Sequence, residues 1–113
     1  MPDVQRPLFE IELESYGSTL FVRLIGEFDL ASHDQFERAV DGHDGSPPRA
    51  IVLDLQGLTF IDSTGLRVIV TLWERSLQEG FDFAIVPGST QVQRAFALTG
   101  LDGVLPMAEE ITP

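Results

Sequence analysis

The hydrophobic residues at the start of the chain alternate with acidic ones. Over Leu8–Ser15, three apolar residues alternate with three glutamates, which is the period-two pattern of a strand with one buried and one solvated face. A turn signal, Tyr16-Gly17-Ser18, separates this segment from a second and more apolar one, Thr19–Gly26. The pattern predicts that the chain opens with a β-hairpin.

Three later segments repeat apolar residues at the spacing of three and four that is typical of amphipathic helices. The first begins at Ser32, where Gln35 follows at the spacing of a capping box. The second and longest is predicted over Ser63–Gly80, with an aspartate directly before it as the N-cap and its final glycine as the stop. The third is predicted over Ser89–Thr99. The predicted buried face of the longest helix consists of Leu66, Ile69, Val70, Trp73 and Leu77.

Short apolar runs between the predicted helices indicate further strands. Ile51–Leu55 is typical of a central strand with a parallel neighbour, Phe81–Val86 predicts another strand, and Val104-Leu105 a brief last one. Strands that alternate with helices predict an α/β fold with parallel crossovers, and the opening hairpin makes the sheet mixed. The loops Gly26–Ser32 and Gly57–Gly65 then emerge at the same carboxyl edge of the sheet, where α/β proteins place their sites.

The 113 residues carry a net charge of −11 and include no cysteine. This length suits a single domain, in which we expect residues 1–7 and 108–113 to fray. The lack of cysteine excludes disulfides, thiolate metal sites and cysteine nucleophiles. Nucleic acid is a poor partner for so acidic a surface, because lysine and arginine supply most of the affinity for phosphates. The chain has no apolar run of membrane-spanning length and no secretory signal pattern at its start, so we expect it in the cytoplasm.

Residues that could carry out catalysis are few. The two histidines, His33 and His43, lie in a polar region without the spacing of a metal site, and we expect both to be solvated. The segment around Ser63 lacks the two-glycine frame of a nucleophile elbow. We therefore expect a binding protein that needs no cofactor or metal, and a weak nucleotide hydrolase is the outlying alternative.

The segment Asp62–Gly65 is the most informative one in the chain. Asp62 caps a helix in any interpretation, with small residues in the first turn after it. A serine in that turn lies beside free backbone N–H groups and the positive end of the helix dipole, so it can carry an anion without unfolding the helix. Ser63 is therefore suited to be a phosphorylation switch.

Three segments match a known pattern in order along the chain: Arg23–Asp29, then Phe60–Leu66 with the strand and turn before it, then Phe96–Leu101. Together they resemble the STAS domain family, specifically its stand-alone anti-sigma factor antagonists. The resemblance implies a single STAS-like α/β domain. Its mixed sheet of four or five strands would open with a β-hairpin and carry helices packed mainly on one face.

The resemblance also implies a function and a site. In such antagonists the serine directly after the motif aspartate is phosphorylated by an anti-sigma factor that is also a serine/threonine kinase. By position this serine is Ser63, with Thr64 as the alternative. The unphosphorylated protein binds the anti-sigma factor and so releases a sigma factor, and a serine phosphatase resets the switch. The residues that we place in partner binding on this basis are Glu27, Phe28, Asp29, Asp62, Ser63, Thr64 and Gly65, together with Arg67, which departs from the family pattern.

Two alternatives stay open. Arg67 stands where many family members carry a small residue, and it lies four residues after Ser63 on the same helix face. Our hypothesis is that Arg67 contacts either the phosphoryl group or an acidic patch of the partner, and the alternative is that Arg67 is simply solvated. The alternative function is that of a STAS subunit in a stress-signalling scaffold or a phospholipid-transporter complex, which would keep the fold without using Ser63.

Overall fold

The computed structural model describes residues 8–42 and 47–108 of the chain. Its strands are β1 (Phe9–Tyr16), β2 (Thr19–Phe28), β3 (Ala50–Ile61) and β4 (Asp82–Val86). Its helices are α1 (His33–Asp41), α2 (Ser63–Glu79) and α3 (Thr90–Thr99), followed by a 3-10 turn over Leu101–Gly103. Residues 1–7 and 109–113, for which we predict fraying, and His43 lie outside the described ranges.

The four strands form one mixed sheet in the order β1-β2-β3-β4. β1 pairs with β2 antiparallel, which confirms the predicted hairpin, and β2, β3 and β4 are parallel to one another. In β3, the neighbouring residues Val52 and Leu53 point to opposite faces of the sheet, and both are buried. The prediction of a central strand with parallel neighbours is therefore confirmed. The prediction that both faces are buried holds only in part, because Val52 lies on the face that the helices leave uncovered, outside the apolar core that contains Leu53.

The helices cover one face of the sheet. On that face, register partners such as Val22 and Leu53 are fully buried. The core joins them to Phe36 of α1, Ile69 of α2 and Phe96 of α3. This confirms that the helices pack mainly on one face. Within the described parts of the chain, no helix is long and apolar enough to cross a membrane.

The opposite face of the sheet carries charged side chains. Arg23 of β2 forms ion pairs with Glu12 of β1 and Asp54 of β3, at 3.6 and 3.3 Å. Ion pairs this close to solvent contribute little to stability. The fold is therefore stabilised mainly by the apolar contacts on the face that the helices cover.

β2 and β3 are longer than the sequence predicts, because their pairing continues past two glycines. β2 extends beyond Gly26 to Phe28, and β3 continues past Leu55 and Gly57 to Ile61. The register shifts on both sides of Gly26, whose φ of +99° lets the backbone take up the irregularity. Pairing with a long neighbour therefore outweighs the local tendency of glycine to end a strand.

The capping box predicted for α1 is wrong. Ser32 occupies the N-cap position, but its side chain makes no capping hydrogen bond. The side-chain amide of Gln35 donates instead to the carbonyl of Phe9 at 3.4 Å. Ser32 and Gln35 therefore bond to residues outside α1, whereas the capping-box spacing predicts that each bonds to the backbone of the other.

α2 is capped as predicted, but its buried face is rotated from the predicted one. Gly80 follows its last turn in the left-handed conformation, with φ of +81°. Leu77, predicted to be buried, is 66% exposed, whereas Leu72 and Ser76 are buried. Since each residue turns a helix by about 100°, Leu77 points away when Ser76 faces the sheet.

The strand predicted at Val104-Leu105 is absent from the described part of the chain. Leu105 is buried in the core, and Met107 makes a single parallel bridge to Ile85 of β4. The N–H of Ala108 donates to the carbonyl of Ile85 at 2.7 Å. Ala108, the first of the C-terminal residues for which we predict fraying, is therefore held against β4.

Candidate partner-binding site

The two loops predicted to share an edge of the sheet do so. Phe28 and Ile61, the last residues of β2 and β3, pair in register. The N–H of Asp62 donates to the carbonyl of Phe28 at 3.2 Å. The loop Asp29–Ser32 and the first turn of α2, Asp62–Gly65, therefore leave the sheet side by side, and we call them together the site edge.

The first turn of α2 presents a hydroxyl to solvent. Asp62 is extended, and its Oδ1 accepts from the N–H of Gly65 at 2.9 Å, which confirms the predicted N-cap. Ser63 is exposed and Thr64 is half-buried. Helix geometry leaves the N–H groups of these two residues without acceptors inside the helix. The exposed Ser63 hydroxyl therefore lies at the positive end of the α2 dipole.

Phe28 lies beneath the site edge and cannot face a partner. Its side chain is fully buried, with its ring stacked on Phe9 at 5.1 Å between centroids and tilted against Phe36 at 5.2 Å. The direct partner contact predicted for Phe28 is therefore wrong, because the ring belongs to the core. Gly65, also predicted at the partner surface, is buried against the backbone of Phe28.

The loop Asp29–Ser32 is fixed by its own hydrogen bonds. Asp29 Oδ1 accepts from the N–H groups of Ala31 and Ser32, at 3.0 and 3.2 Å. The Ser32 Oγ accepts from the N–H of Asp29 at 2.8 Å, and the Glu27 carbonyl lies 3.1 Å from it as an acceptor. Glu27 and Asp29, both predicted in the site, are half-buried, and the carboxylate of Asp29 is engaged within the loop.

Ser32 is the residue of the site edge that sequence reasoning missed. Its side chain is buried, and its one hydroxyl contacts both Asp29 and the carbonyl of Glu27 near the end of β2. The sequence carries a signal for this loop, because an aspartate whose side chain accepts from backbone N–H groups two and three residues later is a common turn motif. The capping-box spacing at the same serine pointed to a different partner.

Arg67 adds a positive charge beside this acidic edge. It is exposed, and it takes part in none of the ion pairs that the described residues form. Its position one turn after Ser63 places both side chains on the same side of α2. Arg67 is therefore available to a negative group at Ser63 or on a partner.

His33, predicted to be solvated, lies between two carboxylates. Its Nε2 is 3.2 Å from Asp34 Oδ1, and its Nδ1 is 3.3 Å from Glu37 Oε1. The His33 side chain is partly covered, whereas the two carboxylates are largely exposed. The three side chains form a compact cluster at the surface of α1.

Comparisons of sequence agree on one family. A family model described as STAS domain matches residues 10–112. The chain is 32% identical over 99 residues to the anti-sigma F factor antagonist of Paenibacillus polymyxa, and the match covers 87% of this chain and 85% of that protein.

Solved structures share the fold. The crystal structure of an anti-sigma factor antagonist from Mycobacterium paratuberculosis has a TM-score of 0.79 at 26% identity, covering 91% of this chain and 87% of that one. The structure of the Bacillus cell fate determinant SpoIIAA in its phosphorylated form has a TM-score of 0.66 at 20% identity, covering 89% and 93%. The second likeness shows the fold alone.

Proposed function

The chain belongs to the STAS domain family, and on that premise we propose that it is an anti-sigma factor antagonist. It binds an anti-sigma factor through the site edge and so releases a sigma factor for transcription, in the cytoplasm where sigma factors act. The observation that carries this proposal is the exposed Ser63 at the start of α2, beside a loop fixed in one conformation. Relatives of similar length, including that of Paenibacillus polymyxa, are anti-sigma factor antagonists.

Phosphorylation of Ser63 switches the protein off. The anti-sigma factor is the serine/threonine kinase, and a serine phosphatase reverses the modification. Ser63 is favoured over Thr64 because Ser63 is exposed and Thr64 is half-buried, and a kinase must reach the hydroxyl. SpoIIAA, which has the same fold, exists in a phosphorylated form, and this supports a switch of the same kind here.

The switch acts at the binding surface. A phosphoryl group adds roughly −1.5 to −2 charges at neutral pH, at a helix N-terminus that accommodates negative charge. At an interface the same group must be desolvated and displaces existing contacts. Disruption of a buried polar contact there costs about 2–5 kcal/mol, or roughly 30-fold to several-thousand-fold in affinity. Binding is therefore lost while the fold is kept.

The deciding experiment uses purified anti-sigma factors of the kinase type from the organism that encodes this chain. Each is mixed with the chain and ATP, the modified residue is mapped by mass spectrometry, and affinities are measured by calorimetry. We expect modification at Ser63, retained binding by Ser63→Ala, and at least about 30-fold weaker binding by the phosphorylated form. Thr64→Ala is the matched control. It should still be phosphorylated at Ser63, and its phosphorylated form should still lose affinity for the anti-sigma factor.

Equal affinity of the modified and unmodified forms would exclude the switch. If no anti-sigma factor binds, and the chain co-purifies instead with scaffold or transporter subunits, the alternative function within the STAS family is correct. Nucleotide hydrolysis by the purified chain, with kinase removed, would support an enzyme.

A further inference from the structure

The site edge exposes a large apolar side chain that the switch does not use. Leu30, in the middle of the loop Asp29–Ser32, is 69% exposed. It lies two residues after Phe28, whose carbonyl accepts from the N–H of Asp62, so its loop borders the start of α2 that carries Ser63. Single exposed apolar residues are common on proteins, but this one stands in a loop fixed by hydrogen bonds beside Ser63.

Leu30 is held in this exposed position by the loop around it. Asp29 and Ser32 flank it, and their hydrogen bonds of 2.8 to 3.2 Å close the loop on both sides. The Ser32 hydroxyl is buried and has several partners, so the loop cannot fold Leu30 inward without breaking them. A loop whose backbone is already fixed by hydrogen bonds loses little conformational freedom on binding.

We infer that Leu30 is the apolar anchor through which the chain binds its anti-sigma factor. The inference rests on the proposed function and deepens it, because it assigns the binding contact to residues other than the phosphorylated one. Ser32 and Asp29 are positioning residues that hold the anchor outward. Buried apolar anchors surrounded by polar groups carry most of the affinity in interfaces of this kind.

The charges of the site edge define the matching surface of the partner. Glu27 precedes the anchor's loop and Asp62 begins the neighbouring helix, on a chain with a net charge of −11. The anti-sigma factor should therefore offer an apolar pocket bordered by basic residues. A second copy of this chain is a poor occupant, because the same carboxylates would face one another across the interface.

The test compares Leu30→Ala with Leu98→Ala, which removes a leucine of α3 that is even more exposed, at 80%. Affinity is measured by calorimetry for the unphosphorylated chain and the anti-sigma factors described above. Leu30→Ala should weaken binding at least about tenfold. Leu98→Ala should bind like the wild type, and all variants should unfold at the wild-type temperature.

The positioning role has its own readout. Asp29→Asn keeps an oxygen acceptor for the loop N–H groups and should bind nearly as well as the wild type, whereas Asp29→Ala and Ser32→Ala should bind more weakly. Equal loss for Asp29→Asn and Asp29→Ala would show that the charge contacts the partner directly and would overturn the positioning role.

The outcomes separate this inference from the proposed function. If the wild type binds an anti-sigma factor and Leu30→Ala binds it equally well, the anchor is wrong and the proposed function stands. If the wild type binds none, both are wrong. Sedimentation of the free chain provides the remaining arm: a dimer that Leu30→Ala dissociates would show that the anchor serves a second copy, which overturns the inference.

Discussion

The carbonyl oxygen of Phe28 lies directly against Gly65, so closely that an added Cβ would sit 2.6 Å from it. The same Cβ would lie 2.8 Å from the side chain of Ile61. α2 can therefore approach the end of β2 only with glycine at this position. That approach brings Ser63 beside the loop that follows Phe28.

Gly65→Ala should destabilise the fold by about 1–3 kcal/mol, because the new methyl group forces α2 away from β2. In a domain of this size that corresponds to a fall of about 4 °C or more in the thermal midpoint for each kcal/mol. Gly103→Ala is the matched control, since a Cβ there meets nothing within 4 Å and Gly103 has no positive φ. A midpoint unchanged by Gly65→Ala would contradict the close packing of α2 on Phe28.

Asp62→Ala should cost about 0.5–2 kcal/mol, because the N–H of Gly65 loses its side-chain acceptor. Asp62→Asn keeps that acceptor and should cost much less. Urea unfolding of the three proteins measures both effects. If the two variants lose equal stability, the negative charge and not the hydrogen bond is what stabilises α2.

Phosphorylation of Ser63 should leave the thermal midpoint within a few degrees of the unmodified value. A negative charge at a helix N-terminus contributes about 0.3–1 kcal/mol of stabilisation, which offsets part of the added repulsion within an acidic chain. Calorimetry of the two purified forms provides the measurement, with Ser63→Asp as a form carrying one charge. Unfolding many degrees lower in the phosphorylated form would mean that the switch works by loss of structure.

Arg67→Ala should lower the thermal midpoint of the phosphorylated form more than that of the unmodified form. An ion pair one helical turn apart contributes about 0.3–0.5 kcal/mol, and high salt should remove the difference. Arg94→Ala, a change of an exposed arginine on α3, is the control. If Arg67 contacts the partner instead, its removal should lower the affinity of the unmodified chain. If Arg67→Ala changes neither the thermal midpoint of the phosphorylated form nor the affinity of the unmodified chain, Arg67 has no role in the switch.

Tyr16 should ionise above the ordinary tyrosine pKa of 10.0. A hydrogen bond with Glu14, slight desolvation and the negative charge of Glu14 together raise the pKa of Tyr16. As the pH rises, Tyr16 therefore ionises in the unfolded chain before it ionises in the folded one. The contribution of Tyr16 to stability is then present below pH 10.0 and is lost as the pH passes the folded pKa. The chain has one tyrosine, so its ultraviolet titration is unambiguous. Glu14→Gln should lower the pKa, and an unchanged curve would contradict the pairing.

Features set by a few neighbouring residues could be predicted from the sequence. The cap at Asp62 and the stop at Gly80 both follow predictions, because the relevant hydrogen bond or backbone angle involves residues within one turn. The opening hairpin also followed its pattern, since Tyr16–Ser18 and the alternation around it are local. The shared edge of the two loops could be predicted because parallel strands place their carboxyl ends together.

Features that depend on distant residues could not be predicted from the sequence. Ser32 and Gln35 have the spacing of a capping box, yet Ser32 bonds within the preceding loop and Gln35 reaches Phe9. The carboxyl-end boundaries of β2 and β3 depended on each other, because each strand continues as long as its neighbour pairs with it. Exposure of Leu30 is likewise a property of the folded loop.

The sequence by itself determined the succession of elements, the start of α2 and the position of Ser63 in its first turn, since periodicity and capping are local. Only the tertiary structure decided which way each side chain of the site edge faces. Phe28 and Leu30 are both apolar and two residues apart, but one is packed in the core and the other is held in solvent. The physical reason is that burial depends on what packs against a residue, and β1, α1 and α2 meet Phe28 from distant parts of the chain.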